Sequence, residues 1–289
     1  MCAAVSILSC LDATGKYLSQ FIDPVQVAWS RYASALVLAA MYANPYRDPD
    51  VLKSRRPWLQ IIRSLIMVAG TVLIFYALRH LQLDQLTTIM FSQPFLIALL
   101  SVPLLGERIG WQRWAAISVG FCGVLVVTRP SFDGVPPAII LAIIAAVMNS
   151  LFAVTTRLLS KFDSDRTTFF YSNLIATLAM TIMVPAVWQT PTTWSAVALL
   201  GMTGIIGGVG HILLIMAYRQ APAGVVAPFI YTQLIWAATL GYLIFGTMPT
   251  QWTLVGGAIV VASGLYLFYF DRPVPRTKPS RDKDRSISS

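Results

Sequence analysis

Apolar residues run through this chain in long blocks, and polar positions collect in short gaps between them. Ten blocks approach the roughly 20 residues that a helix needs to cross a bilayer. They lie near 3–20, 24–44, 58–78, 85–105, 111–128, 137–157, 167–187, 195–217, 224–245 and 251–269. The runs are continuous, as from Ala138 to Met148, and do not alternate as barrel strands would. The pattern predicts an all-α polytopic membrane protein with ten transmembrane helices and no inserted soluble domain. Asp12 and Lys16 interrupt the first block, which therefore suits a retained helix better than a cleaved signal.

Composition narrows the class. Of 289 residues, 56% are hydrophobic and 11% charged, against about 25% charged in soluble domains. A soluble globule, a disordered chain and a disulfide scaffold are excluded. The net charge of +9 is distributed as a topology signal. One side of the expected membrane collects Arg47, Lys53, Arg55, Arg56, Arg63, Arg108, Arg113, Arg157, Lys161, Arg166 and Arg219, with six more in the tail. The other side holds Lys16, Arg31, Arg79 and Arg129. Basic loops stay inside, so both termini are expected to be cytoplasmic. The same distribution removes the nucleic-acid reading of the basic charge. Residues 271–289 read as a flexible basic tail that could touch anionic lipid. Cys2, Cys10 and Cys122 show no ligand spacing and are expected as small apolar packing residues. With two His, a metal site is not expected, nor is any cofactor.

The chain repeats itself at an offset of 140. Ala77 falls on Ala217, Arg79 on Arg219, Gln93 on Gln233, Ala98 on Ala238, Gly106 on Gly246 and Leu125 on Leu265. Phe91 meets Tyr231 and Ser92 meets Thr232. This divides the chain into 1–130 and 137–270, five expected helices each. An odd number of helices inverts the second copy. Inverted repeats are a recurring plan of secondary transporters, with the site between the halves.

Polar groups inside a bilayer are costly, about 2.5–3.5 kcal/mol for a charge at its centre. Asp12 and Lys16 are four residues apart and can pair on one helix face. They read as a satisfied ion pair that fixes the first helix, or Asp12 reads as a cavity-lining or proton-sensing carboxylate. Gln93 and Gln233 could hold a zwitterion's charged ends or bond neighbouring helices. Pro94 and Pro228 beside them interrupt helix hydrogen bonding. Phe91, Tyr231, Trp236 and Tyr76 could stack on a ligand, or simply pack. Arg31, Asn149 and His211 are further intramembrane polar candidates. Gly204 and Gly208 form G-x-x-x-G, which allows close helix approach, with His211 on the same face.

Phe75-Tyr76-Ala77-Leu78-Arg79, Pro103-Leu104-Leu105-Gly106-Glu107-Arg108 and Gly120-Phe121-Cys122-Gly123-Val124 resemble the first EamA-type repeat of the drug/metabolite transporter superfamily. Ala217-Tyr218-Arg219, Val226-Ala227-Pro228 and Ala262-Ser263-Gly264-Leu265 resemble the second, and Asp12-Ala13 with Lys16 fits the first helix. One position departs: Thr247 follows Gly246 where the family commonly has Glu. The resemblance implies a secondary transporter in a bacterial-type inner membrane, similar to bacterial exporters of aromatic and neutral amino acids. The family also holds importers of metabolites such as S-adenosylmethionine. The expected partners are a small-molecule substrate and membrane lipid, with no nucleic acid and no obligate protein. An intramembrane enzyme is the competing class, but no H-E-x-x-H, G-x-S-x-G or P-loop occurs.

Overall fold

The computed structural model describes residues 1–43, 48–105, 111–128, 136–159, 161–220 and 227–270. Among them every regular element is helical. In chain order these are α1 (Cys2–Leu18), α2 (Pro24–Ala43), α3 (Pro57–Leu78), α4 (Leu83–Met90), α5 (Gln93–Leu105) and α6 (Trp111–Thr128). Then come α7 (Pro137–Leu159), α8 (Asp165–Met183), α9 (Trp194–Gln220), α10 (Gln233–Phe245) and α11 (Gln251–Phe270). Short 3-10 turns cover Pro49–Leu52, Val184–Ala186 and Ala227–Thr232.

Local chemistry sets many of the ends. Pro24, Pro57 and Pro137 each open a helix, where a missing N–H costs nothing. Ser164 caps α8 by accepting the Thr167 N–H at 3.1 Å. Gly246, at φ 66°, closes α10 in the left-handed region. Thr247 follows it, and both its N–H (3.2 Å) and its hydroxyl (3.1 Å) bond back to the Gly241 carbonyl. The Thr that departs from the family pattern therefore serves the cap.

Two expected helices are interrupted. The block at 85–105 is α4 and α5, parted at Phe91-Ser92. The block at 224–245 is described from Ala227 as a 3-10 turn and then α10. The restarts fall on Gln93 and Gln233, and each helix runs 13 residues. Pro94 is the second residue of α5, in a first turn whose N–H groups have no helical acceptor in any case.

Five stretches are long and apolar enough to cross a membrane: Pro57–Leu78, Leu83–Leu104, Pro137–Leu159, Asp165–Ala186 and Trp194–His211. Shorter apolar helices cover Trp114–Thr128, Phe229–Phe245 and Gln251–Tyr266. The chain is a multi-pass membrane protein. Its larger helix contacts join elements before residue 130 to elements after 137: α3 with α7 and α8, α2 with α8 and α9, α1 with α9 and α10, α4 with α10, and α6 with α11. One buried cluster runs through both halves, from Leu18, Phe75 and Ile89 to Met180, Tyr231 and Val260.

Close approach explains two glycines. A Cβ on Gly204 of α9 would lie 2.3 Å from the Arg31 carbonyl and 2.4 Å from the Ala35 nitrogen of α2. One on Gly256 of α11 would lie 2.6 Å from the Gly123 carbonyl of α6. Cys2, Cys10 and Cys122, expected as packing residues, are instead free and exposed.

Both ends of the bundle are tied across the halves. At one, Gln26 and the Gln189 backbone exchange two hydrogen bonds, at 2.9 and 2.8 Å. Trp29 Nε1 donates to Thr181 Oγ1 at 2.9 Å. At the other, Asp163 in the α7–α8 turn accepts from Ser54 Oγ (2.5 Å), the Arg55 N–H (2.8 Å) and Gln60 Nε2 (2.9 Å). Desolvation opposes the Asp163 charge. These hydrogen bonds and the Arg55 cation outweigh it and hold the carboxyl below the ordinary range.

Gly204→Val is expected to push α2 from α9, at about 1–3 kcal/mol, and to lower the melting midpoint in detergent. Gly201→Ala, at a position with nothing within 4 Å, should melt like the parent. Asp163→Asn should also melt earlier at neutral pH, by roughly 1 kcal/mol after solvent screening. The depressed folded-state value makes this contribution complete above the ordinary Asp value of 3.8. It is lost as pH falls through the lower folded value, so parent and variant should converge in strong acid. Melting curves across pH check both statements.

Candidate functional site

Helix α1 has two faces. Ala3, Cys10, Tyr17 and Phe21 are exposed along one side. Asp12 points the other way, since two residues turn a helix by about 200°. It lies about 15 Å of helical rise from the start of α1. Asp12 is half-buried, and Gln233 Nε2 donates to its Oδ2 at 3.5 Å. Gln233 reaches it from the first position of α10, just past the 3-10 turn.

Arg31 enters from α2. Its Nε lies 3.7 Å from where a Cβ on Gly207 would stand, an ordinary packing distance, so the guanidinium lies beside α9 at this position. The same Gly207 position is 3.2 Å from Leu11 Cδ2, next to Asp12 on α1. The Arg31 charge acts on both Asp12 and His211. His211 follows Gly207 by one turn of α9. It is exposed although α9 packs against α1 and α2, so its ring borders open space between helices. Asp12, Arg31, His211 and Gln233 thus come together from four helices. Asp12 and Arg31 do not close to 4.0 Å. Among the described residues the ion pair that does is Lys53–Asp50, exposed, at 2.7 Å.

The expected Asp12–Lys16 pair does not form. Lys16 is 8% exposed and donates to the Leu81 carbonyl in the α3–α4 turn. It stands 5.2 Å from the Phe245 ring centroid and within the field of Asp84. The physical reason is the acceptor: a carbonyl just past a helix end lacks a helical partner, and the long lysine stem reaches it. Asp84, in the first turn of α4, is 1% exposed, and its Oδ2 has no hydrogen-bond partner.

The other candidates stand elsewhere. Gln93 donates to Met90 Sδ at 3.6 Å, and its carbonyl accepts from Ser150 Oγ at 3.5 Å. Asn149 donates to its own helix at Ala145, 2.9 Å, and presses on Gly70. Phe91 and Tyr231, the repeat-related pair, meet edge to face at 5.0 Å, both buried. The Tyr231 hydroxyl fills the space a Gly264 Cβ would need and has no hydrogen-bond partner. Trp236 is 41% exposed. Tyr76 leaves the group altogether: its hydroxyl donates to Asp23 at 3.4 Å, at the bundle end. Gly208 faces Leu38 of α2. Pro228 lies in the 3-10 turn, and its side chain falls outside the described residues, as do Glu107 and the tail.

Sequence reasoning missed Arg63, which it counted as a loop charge. It is 5% exposed within α3, bonded to Thr156 Oγ1 and Ser172 Oγ at 2.6 Å each, over the Phe152 ring at 4.3 Å. Its position six residues past the helix-opening Pro57 was the available signal.

Comparisons with known proteins agree with this architecture. The model of the EamA-like transporter family matches residues 1–129 and 136–270. The chain belongs to that family. It is 29% identical over 262 residues to an S-adenosylmethionine uptake transporter of Rickettsia bellii, covering 90% of this chain and 89% of that one. A riboflavin transporter of Vibrio cholerae is 26% identical (96% and 92% covered). A pseudopaline exporter of Pseudomonas aeruginosa is also 26% identical (90% and 91%). A crystal structure at 19% identity shares the fold, with TM-score 0.57 over 92% of this chain and 94% of the other. The relatives are named as transporters, and the chain is a membrane transporter of small molecules, not an enzyme.

If His211 borders water, a single cysteine there should react with a charged, membrane-impermeant thiol reagent. In a background with the native cysteines replaced, His211→Cys is expected to label at least about tenfold faster than Cys10 restored alone, which lies on the outward, apolar face of α1. Equal rates would place His211 on the outside of the bundle.

Proposed function

We propose that the chain is a secondary transporter of amino-acid-type metabolites working by alternating access. The observation that carries this reading is the contact of Asp12 with Gln233, beside Arg31 at Gly207, which draws on α1 and α2 of one half and α9 and α10 of the other. A site held by both halves changes its exposure when they rock. In this reading the chain crosses the membrane ten times, as two inverted repeats of 1–130 and 137–270, with both termini cytoplasmic in a bacterial inner membrane. The interrupted helices supply the bend: α5 and α10 restart at Gln93 and Gln233, and backbone groups freed at such breaks are available near a ligand.

The substrate reading has two forms. Resemblance favours export of aromatic or neutral amino acids. The similarity to S-adenosylmethionine uptake transporters favours that metabolite, which also carries an amino-acid group. Both suit a site with one carboxylate, one guanidinium and neutral amide and imidazole groups. A riboflavin substrate leaves Asp12 and Arg31 without a charged counterpart.

Counterflow into proteoliposomes at matched pH tests this. Labelled phenylalanine, methionine, S-adenosylmethionine and riboflavin would be compared. Exchange of an amino-acid-bearing compound is expected without an imposed gradient. Gln233→Leu should slow it about tenfold, the worth of one hydrogen bond to a charge, and Gln93→Leu distinctly less, since Gln93 is turned to Met90. Exchange of riboflavin alone would remove the amino-acid reading.

A further inference from the structure

We propose that Asp12 and Arg31 read the two charges of an α-amino-acid head, Asp12 taking the ammonium and Arg31 the carboxylate. The inference rests on the transport reading above and names what its site selects.

The charges are opposite, interior and unclosed. An unliganded carboxylate and guanidinium in the hydrocarbon region are each costly, and direct pairing would relieve both. Arg31 Nε and Leu11, the neighbour of Asp12, both lie within 4 Å of one point on α9, the Cβ position of Gly207, yet the two charges stay beyond 4.0 Å of each other. Each is held by its own contacts. Arg31 is seated against Gly207 and over the Tyr32 ring, 5.6 Å from its centroid. Asp12 is engaged by Gln233. A group carrying both signs on one carbon satisfies each of these charges without adding net charge to the site. A neutral ligand satisfies neither, and a simple anion or cation leaves one uncompensated.

The neighbours fit the same assignment. Gln233 spends its Nε2 on Asp12, which leaves its Oε1 as an acceptor beside the ammonium. His211 lies within the field of Arg31 and can donate to the carboxylate. The remaining charge near α1, Lys16, is withdrawn to Leu81 and Asp84 and does not compete for Asp12.

The test removes one charge of the head at a time. Against counterflow of labelled methionine, phenylalanine or S-adenosylmethionine, whichever exchanges fastest, the competitors are the unlabelled parent, N-acetyl and methyl-ester derivatives of methionine and phenylalanine, and 5′-methylthioadenosine. The last keeps a nucleoside but lacks the head. Each beheaded competitor is expected to be at least about tenfold weaker than the parent. Asp12→Asn should then tolerate the N-acetyl compound and still reject the ester, and Arg31→Gln should do the reverse. Asp12→Glu should retain the parental order. Equal competition by N-acetyl compounds or by 5′-methylthioadenosine in the parent protein overturns the inference while transport stands. So does loss of both discriminations together in either single variant. If no head-bearing compound exchanges, the inference and the amino-acid reading fall together. Exchange of riboflavin in that case would preserve the transporter alone. The competition series on the unmodified protein decides the matter even where a variant does not fold.

Discussion

An interior charge in a membrane protein must have a partner, and the surrounding lipid cannot supply it. This constraint organises the rest of the structure. Arg63 meets it with two hydroxyls and a Phe ring. Lys16 meets it with a carbonyl past a helix end and the nearby Asp84. Asp12 and Arg31 meet it incompletely, through Gln233 and a shared field. The first two arrangements lock helices together. The third leaves two opposite charges with unspent capacity beside open space, and there the functional reading concentrates.

The backbone follows a related rule. A break in a helix exposes carbonyl and N–H groups that lipid cannot satisfy. Both described interruptions lie inside the bundle, packed against other helices, and both precede a glutamine. Beyond them the repeat-related rings of Phe91 and Tyr231 meet in the shared core. The two copies have diverged in use. Gln233 serves Asp12, and Gln93 is turned to a thioether. Similar sequence at matching positions therefore gives the two glutamines different partners.

Packing across the halves gives this site its shape. Helices α1 and α2 lie on α8, α9 and α10, and the glycines of α9 allow the approach. Gly204 brings α2 close at its backbone. Gly207, three residues on, has the Arg31 side chain at ordinary packing distance and Leu11 of α1 closer still. The same stretch of small residues sets the helix spacing and lies beside the charge. The family match spans nearly the whole chain, so this plan is shared with relatives that move chemically different cargo. The side chains on the common frame, more than the frame, must then carry selectivity.

Much of this was legible in the chain. Apolar blocks marked out the helices, except where the blocks at 85–105 and 224–245 break before a glutamine, because the cost of exposing polar backbone to lipid leaves few alternatives. The offset of 140 matched Gln93 with Gln233 and Phe91 with Tyr231, and the family motifs followed from the same residues. Which polar groups meet was not legible. Spacing along α1 put Lys16 within reach of Asp12, but Leu81, Asp84 and Phe245, far away in sequence, offered it a better environment. Tyr76 belonged by type with the other aromatics, yet the bundle carries it to Asp23. Arg63 looked like a loop charge until three helices closed around it. Helix existence is decided by local hydrophobicity, which one sequence records. The pairing of interior charges is decided by competition among acceptors on different helices, and only the packed bundle brings those acceptors within range.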